Sequence, residues 1–176
     1  MTKTREPSAF ELPAALSRDG FALRPEAEGD IPFLVELYAS TREAELAAVP
    51  WTPEQKRVFL LQQFDAQRRD YRTRLEGCVF EVIERGGEPI GRLYLHARGC
   101  ALHVVDISLA PLWRGRGVGG AILEAVIASA HADGLAVGIF VEKYNPALSL
   151  YRRLGFVEIA DHGVYLEMER APEPAS

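Results

Sequence analysis

The sequence predicts one α/β domain with a mixed, mostly antiparallel central sheet flanked by helices. Three observations lead there. Strand-like runs follow one another at Cys78–Glu84, Ile90–Ala97 and Leu102–Leu109, separated by turns at Arg85–Pro89 and Arg98–Gly99, which reads as an antiparallel meander. A helical run to about Ala132 is then closed by Asp133-Gly134 and followed by Ala136–Val141, whose more continuous apolar run suits a buried strand. At 176 residues, 48% hydrophobic and 26% charged, the chain has the size and composition of a single globular domain.

The elements follow in order. Residues 1–20 are expected to form an arm or loose first turn, because Pro7 and Pro13 interrupt any long element. Phe21–Arg24 reads as a short strand ended by Pro25. Asp30 is placed to N-cap a helix that carries Leu34, Leu37 and Tyr38 on one face. Thr52-Pro53-Glu54-Gln55 is a capping box with proline at the first helical position, opening a helix towards Tyr71. After the Ala136–Val141 strand, Asn145-Pro146 starts a helix that reaches Leu154 and stops at Gly155. Phe156–Ala160 and Val164–Glu169 give two last strands of a domain spanning 21–170, and 171–176 reads as a frayed tail.

Composition narrows the function classes. A net charge of -5 argues against a general nucleic-acid binder. No run is long and apolar enough to span a membrane, and the polar start lacks the apolar stretch of a signal peptide, so a cytoplasmic protein is expected. Cys78 and Cys100 have no metal-ligand spacing and read as reduced thiols, and no metal is implied. His96, His131 and His162 suggest no chemistry.

The chemistry concentrates in Pro111-Leu112-Trp113-Arg114-Gly115-Arg116-Gly117-Val118-Gly119-Gly120, between a strand and a helix. A glycine-rich turn at a helix start holds phosphate: the first helical N–H groups have no partner in the helix, and its dipole favours an anion there. Arg114 and Arg116 add donors suited to phosphate oxygens. A P-loop is excluded, since no Gly-Lys-Ser/Thr follows. Gly115, Gly117 and Gly120 match the dinucleotide fingerprint G-x-G-x-x-G, with Glu142 near where a ribose-binding acid falls. Against it, Ala110–Arg114 intervene after the strand, that strand carries His103, Asp106 and Ser108, and too little chain follows for a doubly wound sheet.

Arg114-x-x-Gly117-x-Gly119 resembles the coenzyme A signature of the GNAT superfamily of N-acetyltransferases. The resemblance continues in Asn145-Pro146-Ala147-Leu148-Ser149-Leu150-Tyr151-Arg152-Arg153-Leu154-Gly155-Phe156, and the order of elements from Phe21 to Glu169 is also similar. It implies transfer of an acetyl group from acetyl-CoA to a primary amine, by direct attack in a ternary complex. The backbone of Gly115, Arg116, Gly117, Val118, Gly119 and Gly120 would bind the diphosphate, with Arg114 facing it. Leu109 would offer backbone hydrogen bonds to the pantetheine arm, lying between two splayed strands, and Asn145 would contact that arm. Tyr151 would be the acid for the leaving thiolate.

Candidate bases are His103, Asp106 and, at the end of the neighbouring strand, Glu142. Strict alternation puts His103, Val105, Ile107 and Leu109 on one face and Val104, Asp106 and Ser108 on the other. Glu43, Glu45 and Trp51, in the connection of the first two helices, and the preceding Tyr38 would suit a cationic acceptor, a small molecule or a peptide. A homodimer is left open, and a non-catalytic acyl-CoA sensor on the same scaffold is the rival reading.

Overall fold

The computed structural model describes residues 10–172. The first nine residues of the expected arm and residues 173–176 of the expected tail lie outside them. The arm's remainder is a short helix, α1 (Ala14–Arg18), and Phe10, Leu12 and Leu16 pack against the main core. The strands are β1 (Phe21–Pro25), β2 (Val79–Arg85), β3 (Glu88–Arg98), β4 (Ala101–Leu109), β5 (Ala136–Glu142), β6 (Val157–His162) and β7 (Tyr165–Arg170). They form one sheet in the order β1-β2-β3-β4-β5-β7-β6. Every pair is antiparallel except β4 with β5. A doubly wound parallel sheet, and with it the dinucleotide reading, is thereby excluded.

The helices flank this sheet. Helix α2 (Ile31–Ala47) buries Leu34, Leu37 and Tyr38, the face its spacing predicts, against Phe64 of α3 (Pro53–Arg74). The capping box is present: Thr52 Oγ1 accepts from the Gln55 N–H at 3.2 Å, and the Gln55 side chain accepts from the Thr52 N–H at 2.9 Å. Asp30 does not cap α2. Its carboxylate instead takes two bonds from Arg24, both 2.7 Å, and one from the Ala27 N–H. A guanidinium within reach outcompetes a backbone amide for a carboxylate.

On the other face lies α4 (Val118–Ala132), whose Ile122, Leu123 and Val126 pack with Val137, Ile139 and Met168 into the larger core. Full burial of each such side chain stabilises by about 1.5–3 kcal/mol. Helix α5 (Leu148–Arg153) starts later than the sequence suggests, because Asn145 and Pro146 are spent on the turn before it. Among the described residues no helix is long and apolar enough to cross a membrane, and no group of three or more His, Cys, Asp or Glu could hold a metal ion.

Candidate functional site

The site begins with a failure of pairing. β4 and β5 are bonded only from Ala101–Val104 to Ala136–Ile139. Beyond that point β5 continues with β7 alone, and β4 with β3 alone. The two central strands therefore separate, leaving one edge of β4 unpaired towards a slot.

Which backbone groups face the slot follows from the β3–β4 register. The Ala110 N–H donates to the Ile90 carbonyl at 2.8 Å, so Leu109, opposite Gly91, turns its own N–H and carbonyl the other way, to the free edge. Gly91 is required here: a Cβ would stand 2.4 Å from the Ser108 carbonyl oxygen and 2.8 Å from Leu109 Cδ2. That close approach seats Leu109 beneath α4, with its Cδ1 3.6 Å from the Cβ position of Gly119.

The glycine turn leads from there into α4. Gly117 is the N-cap at φ 81°, a left-handed conformation that side chains disfavour, and no side chain caps the helix. The Ala121 N–H is the first to bond back, to the Gly117 carbonyl at 3.0 Å. The amides of Val118, Gly119 and Gly120 thus stand at the positive end of a 15-residue helix without a helical acceptor. Arg116 lies over the Trp113 ring at 5.8 Å. Trp113 in turn packs edge-on against Phe21 and carries Arg85 at 5.1 Å.

Arg114 is placed differently from expectation. Its Nε donates to the Leu109 carbonyl at 2.8 Å, and its two terminal nitrogens reach the Ser40 hydroxyl at 2.6 Å and the Ser40 carbonyl at 3.3 Å. Its guanidinium is committed to the end of β4 and to α2 instead of facing the turn.

The alternation expected along β4 is broken. Tyr94 opposes Asp106 while Leu95 opposes Val104, so Val105 is an extra residue in a β-bulge. The bulge reverses the faces. Val104 joins Leu102 and Leu109 in the core beneath α4. Asp106 and Ser108 face α3, where Arg92 bonds both Asp106, at 2.7 Å, and Gln67, at 3.0 Å. His103, which alternates with the buried Leu102 and Val104, shares the Asp106 face and not that of Leu109. Its half-buried ring stacks on Phe140 at 6.3 Å and 16°, over Gly138. Burial, then Arg98 and His96, lowers its pKa below the usual 6.5, so the ring is neutral at pH 7.

Tyr151 is 5% exposed and packs edge-on against Phe156. Burial, and secondly the Asp106 charge, pushes its hydroxyl up to about 12. Asn145 accepts the Ala147 N–H on its side-chain oxygen at 2.8 Å, which leaves its amide nitrogen to donate elsewhere. Glu142 closes β5 and meets Arg42 and the Tyr165 hydroxyl, both at 3.4 Å. Glu43 and Glu45 lie on the last turns of α2, not in the connection, because α2 runs to Ala47. Trp51 is in the connection and packs on Phe59 at 5.2 Å.

Sequence reasoning missed Ser40, Arg42, Arg92 and Tyr165. Each works through a partner at least 14 positions away, which no local spacing announces.

Residues 76–158 match the family model for the acetyltransferase (GNAT) domain. The fold is similar to the PaiA N-acetyltransferase of Thermoplasma acidophilum, solved with coenzyme A, at 16% identity and TM-score 0.65, over 86% of this chain and 98% of that one. It is also similar to the spermidine N-acetyltransferase of Vibrio cholerae, solved with coenzyme A and spermine, at 19% identity and TM-score 0.59, over 86% and 95%. A third is the ribosomal-protein-S18-alanine N-acetyltransferase of Escherichia coli, at 17% identity and TM-score 0.58, over 89% and 96%. The matched residues take in the meander, the glycine turn, α4 and α5, so this part of the chain is similar to the acetyltransferase (GNAT) domain, and the sheet around it has the fold of those N-acetyltransferase structures.

Proposed function

We propose that this chain moves an acetyl group from acetyl-CoA to a primary amine, by direct attack in a ternary complex. One observation carries the reading: three helical amides without a helical acceptor, Val118, Gly119 and Gly120, adjoin an unpaired strand edge at Leu109. An anion and an extended amide-bearing arm, joined in one molecule, satisfy both at once. The backbone from Gly115 to Gly120, with Arg116 beside it, holds the diphosphate. The open edge of β4 beyond Val104 and the Asn145 amide hold the arm, since the Leu109 carbonyl is taken by Arg114 and its N–H is kept for the thioester.

The amine must arrive neutral, against a reference pKa near 10.4 for a lysine-type amine. His103 takes its proton through a chain of waters, because it lies six residues back along β4 from Leu109. It is already neutral, whereas the Asp106 carboxylate is engaged by Arg92 and Ser108. Asp106 holds the cationic face in order and is second choice as base. The amine nitrogen then bonds to the thioester carbon, and the carbonyl oxygen becomes an oxyanion. The Leu109 N–H, aimed into the slot, is the donor for it, and a well-placed donor is worth about 3–4 kcal/mol. The C–S bond breaks, and the thiolate takes the proton of Tyr151, whose burial keeps it protonated until needed. Several of the similar structures are named as N-acetyltransferases of amines, spermidine and an alanine of ribosomal protein S18 among them, which supports an amine acceptor.

A panel of primary amines assayed with acetyl-CoA and a thiol indicator tests this. Steady thiol release with at least one amine is expected. Tight coenzyme A binding with no release from any amine would leave a sensor instead of an enzyme.

A further inference from the structure

Helix α2 crosses the mouth of the slot and is fastened to both of its lips. On the β4 side Arg114 joins the Leu109 carbonyl to Ser40 through three hydrogen bonds of 2.6–3.3 Å. The Ser40 hydroxyl spends its proton on the Leu37 carbonyl at 2.6 Å, so it meets Arg114 as an acceptor. On the β5 side Arg42 reaches Glu142 at 3.4 Å, and Glu142 also takes the Tyr165 hydroxyl. Residues two apart project roughly 200° apart around a helix. Ser40 and Arg42 therefore serve opposite flanks of α2, one for each strand, while Leu34, Leu37 and Tyr38 face the core.

We propose that α2 is a cross-brace that sets the width of the slot, with Ser40 and Arg42 as its positioning residues. The proposal rests on the coenzyme A reading of the same slot. An arm lying between two strands bonds only when the lips stand at the right separation, because N–H···O bonds are confined to about 2.7–3.2 Å. Ser40 holds Arg114, which in turn holds both the last carbonyl of β4 and the entry to the glycine turn. Arg42 holds the last residue of β5. The stronger fastening is on β4: the Arg42–Glu142 contact is long, and both side chains are about one-third exposed, at 29% and 32%.

Calorimetric titration of the full chain with coenzyme A tests the brace. Ser40→Ala should weaken binding about three- to tenfold, the range of one ordinary hydrogen bond. Ser40→Thr, which keeps the hydroxyl, should restore it. Ser40→Ala should add nothing on an Arg114→Met background, since both remove the same link. Arg42→Gln should weaken binding about twofold, as a part-exposed pair does. Unchanged affinity in Ser40→Ala, or simple additivity with Arg114→Met, overturns the brace.

If the unaltered protein bound no coenzyme A, the slot assignment would fail, and amide exchange over residues 40–47 would then judge the brace alone. Faster exchange in Ser40→Ala, restored in Ser40→Thr, supports it. Alanine favours helix more than serine does, so propensity cannot produce that result. Unchanged exchange overturns the brace here too.

Discussion

The two sides of the slot are built from different materials. The turn side, from Leu109 to Gly120, is mostly backbone: a free strand edge, glycines that admit a left-handed turn, and helix amides without acceptors. The opposite side, over α2 and α3, is side chain against side chain. Arg92 with Asp106 and Gln67, Arg42 with Glu142, and Tyr94 with Glu26 hold it together. Backbone recognition is written in short contiguous stretches, since a dihedral or a missing acceptor is a local property. Side-chain recognition is assembled by the fold from residues 14 to 100 positions apart in these pairs. The first kind tolerates a fixed ligand only. The second can be rewritten one residue at a time, as a changing acceptor would require.

If that contrast is right, the largest effect of a side-chain change belongs to the α3 side. Arg92→Met removes a buried guanidinium and leaves the half-buried Asp106 carboxylate with Ser108 alone, and should cost about 3 kcal/mol of stability, read by denaturant unfolding. An intact midpoint would mean that the pair is not holding that face. Next comes Tyr151→Phe, which keeps the ring packing on Phe156 but loses the proton donor. The turnover number should fall about hundredfold while coenzyme A affinity stays within twofold. Equal loss of both would make Tyr151 a packing residue.

A smaller effect is expected at the start of α3. Thr52→Ala removes one half of the capping box and should cost about 1 kcal/mol in a thermal melt, with coenzyme A binding unaltered. The smallest is a pH effect at His103. Its folded pKa lies below the unfolded 6.5, so the unfolded chain binds more protons as the pH drops. This contribution to stability is whole above pH 6.5 and is lost as pH falls through the folded value. Arg98, His96, Glu167 and Glu169 are the charged groups around the ring, so the comparison must be made against His103→Gln. The variant should lose less melting temperature than the parent between pH 7.5 and pH 5.5, and an identical loss would remove this assignment.

Much of this architecture was legible. Gly117 with Gly119 and the following apolar run marks the start of α4, and Thr52-Pro53-Glu54-Gln55 marks that of α3, because caps are satisfied by near neighbours. The β4 faces were not, because a bulge is set by how Tyr94 and Leu95 pair with another strand, and period-two reading carries no sign of it. Asp30 departs from its expected role for a related reason: its place before Ile31 suits a cap, but Arg24 becomes a competitor only once β1 lies beside it. Likewise Arg114 has the right motif position, yet its bonds to Ser40 span 74 residues.

The central claim is that backbone amides at the start of α4 hold the diphosphate of coenzyme A. Titrating coenzyme A into isotopically labelled protein, while following each backbone amide by nuclear magnetic resonance, tests it most directly. The amide signals of Val118, Gly119 and Gly120 should shift together and saturate at one equivalent, and Gly117→Val should abolish the response. If those three stayed in place while coenzyme A bound elsewhere, or if they moved with NADH and not with coenzyme A, the account would be contradicted.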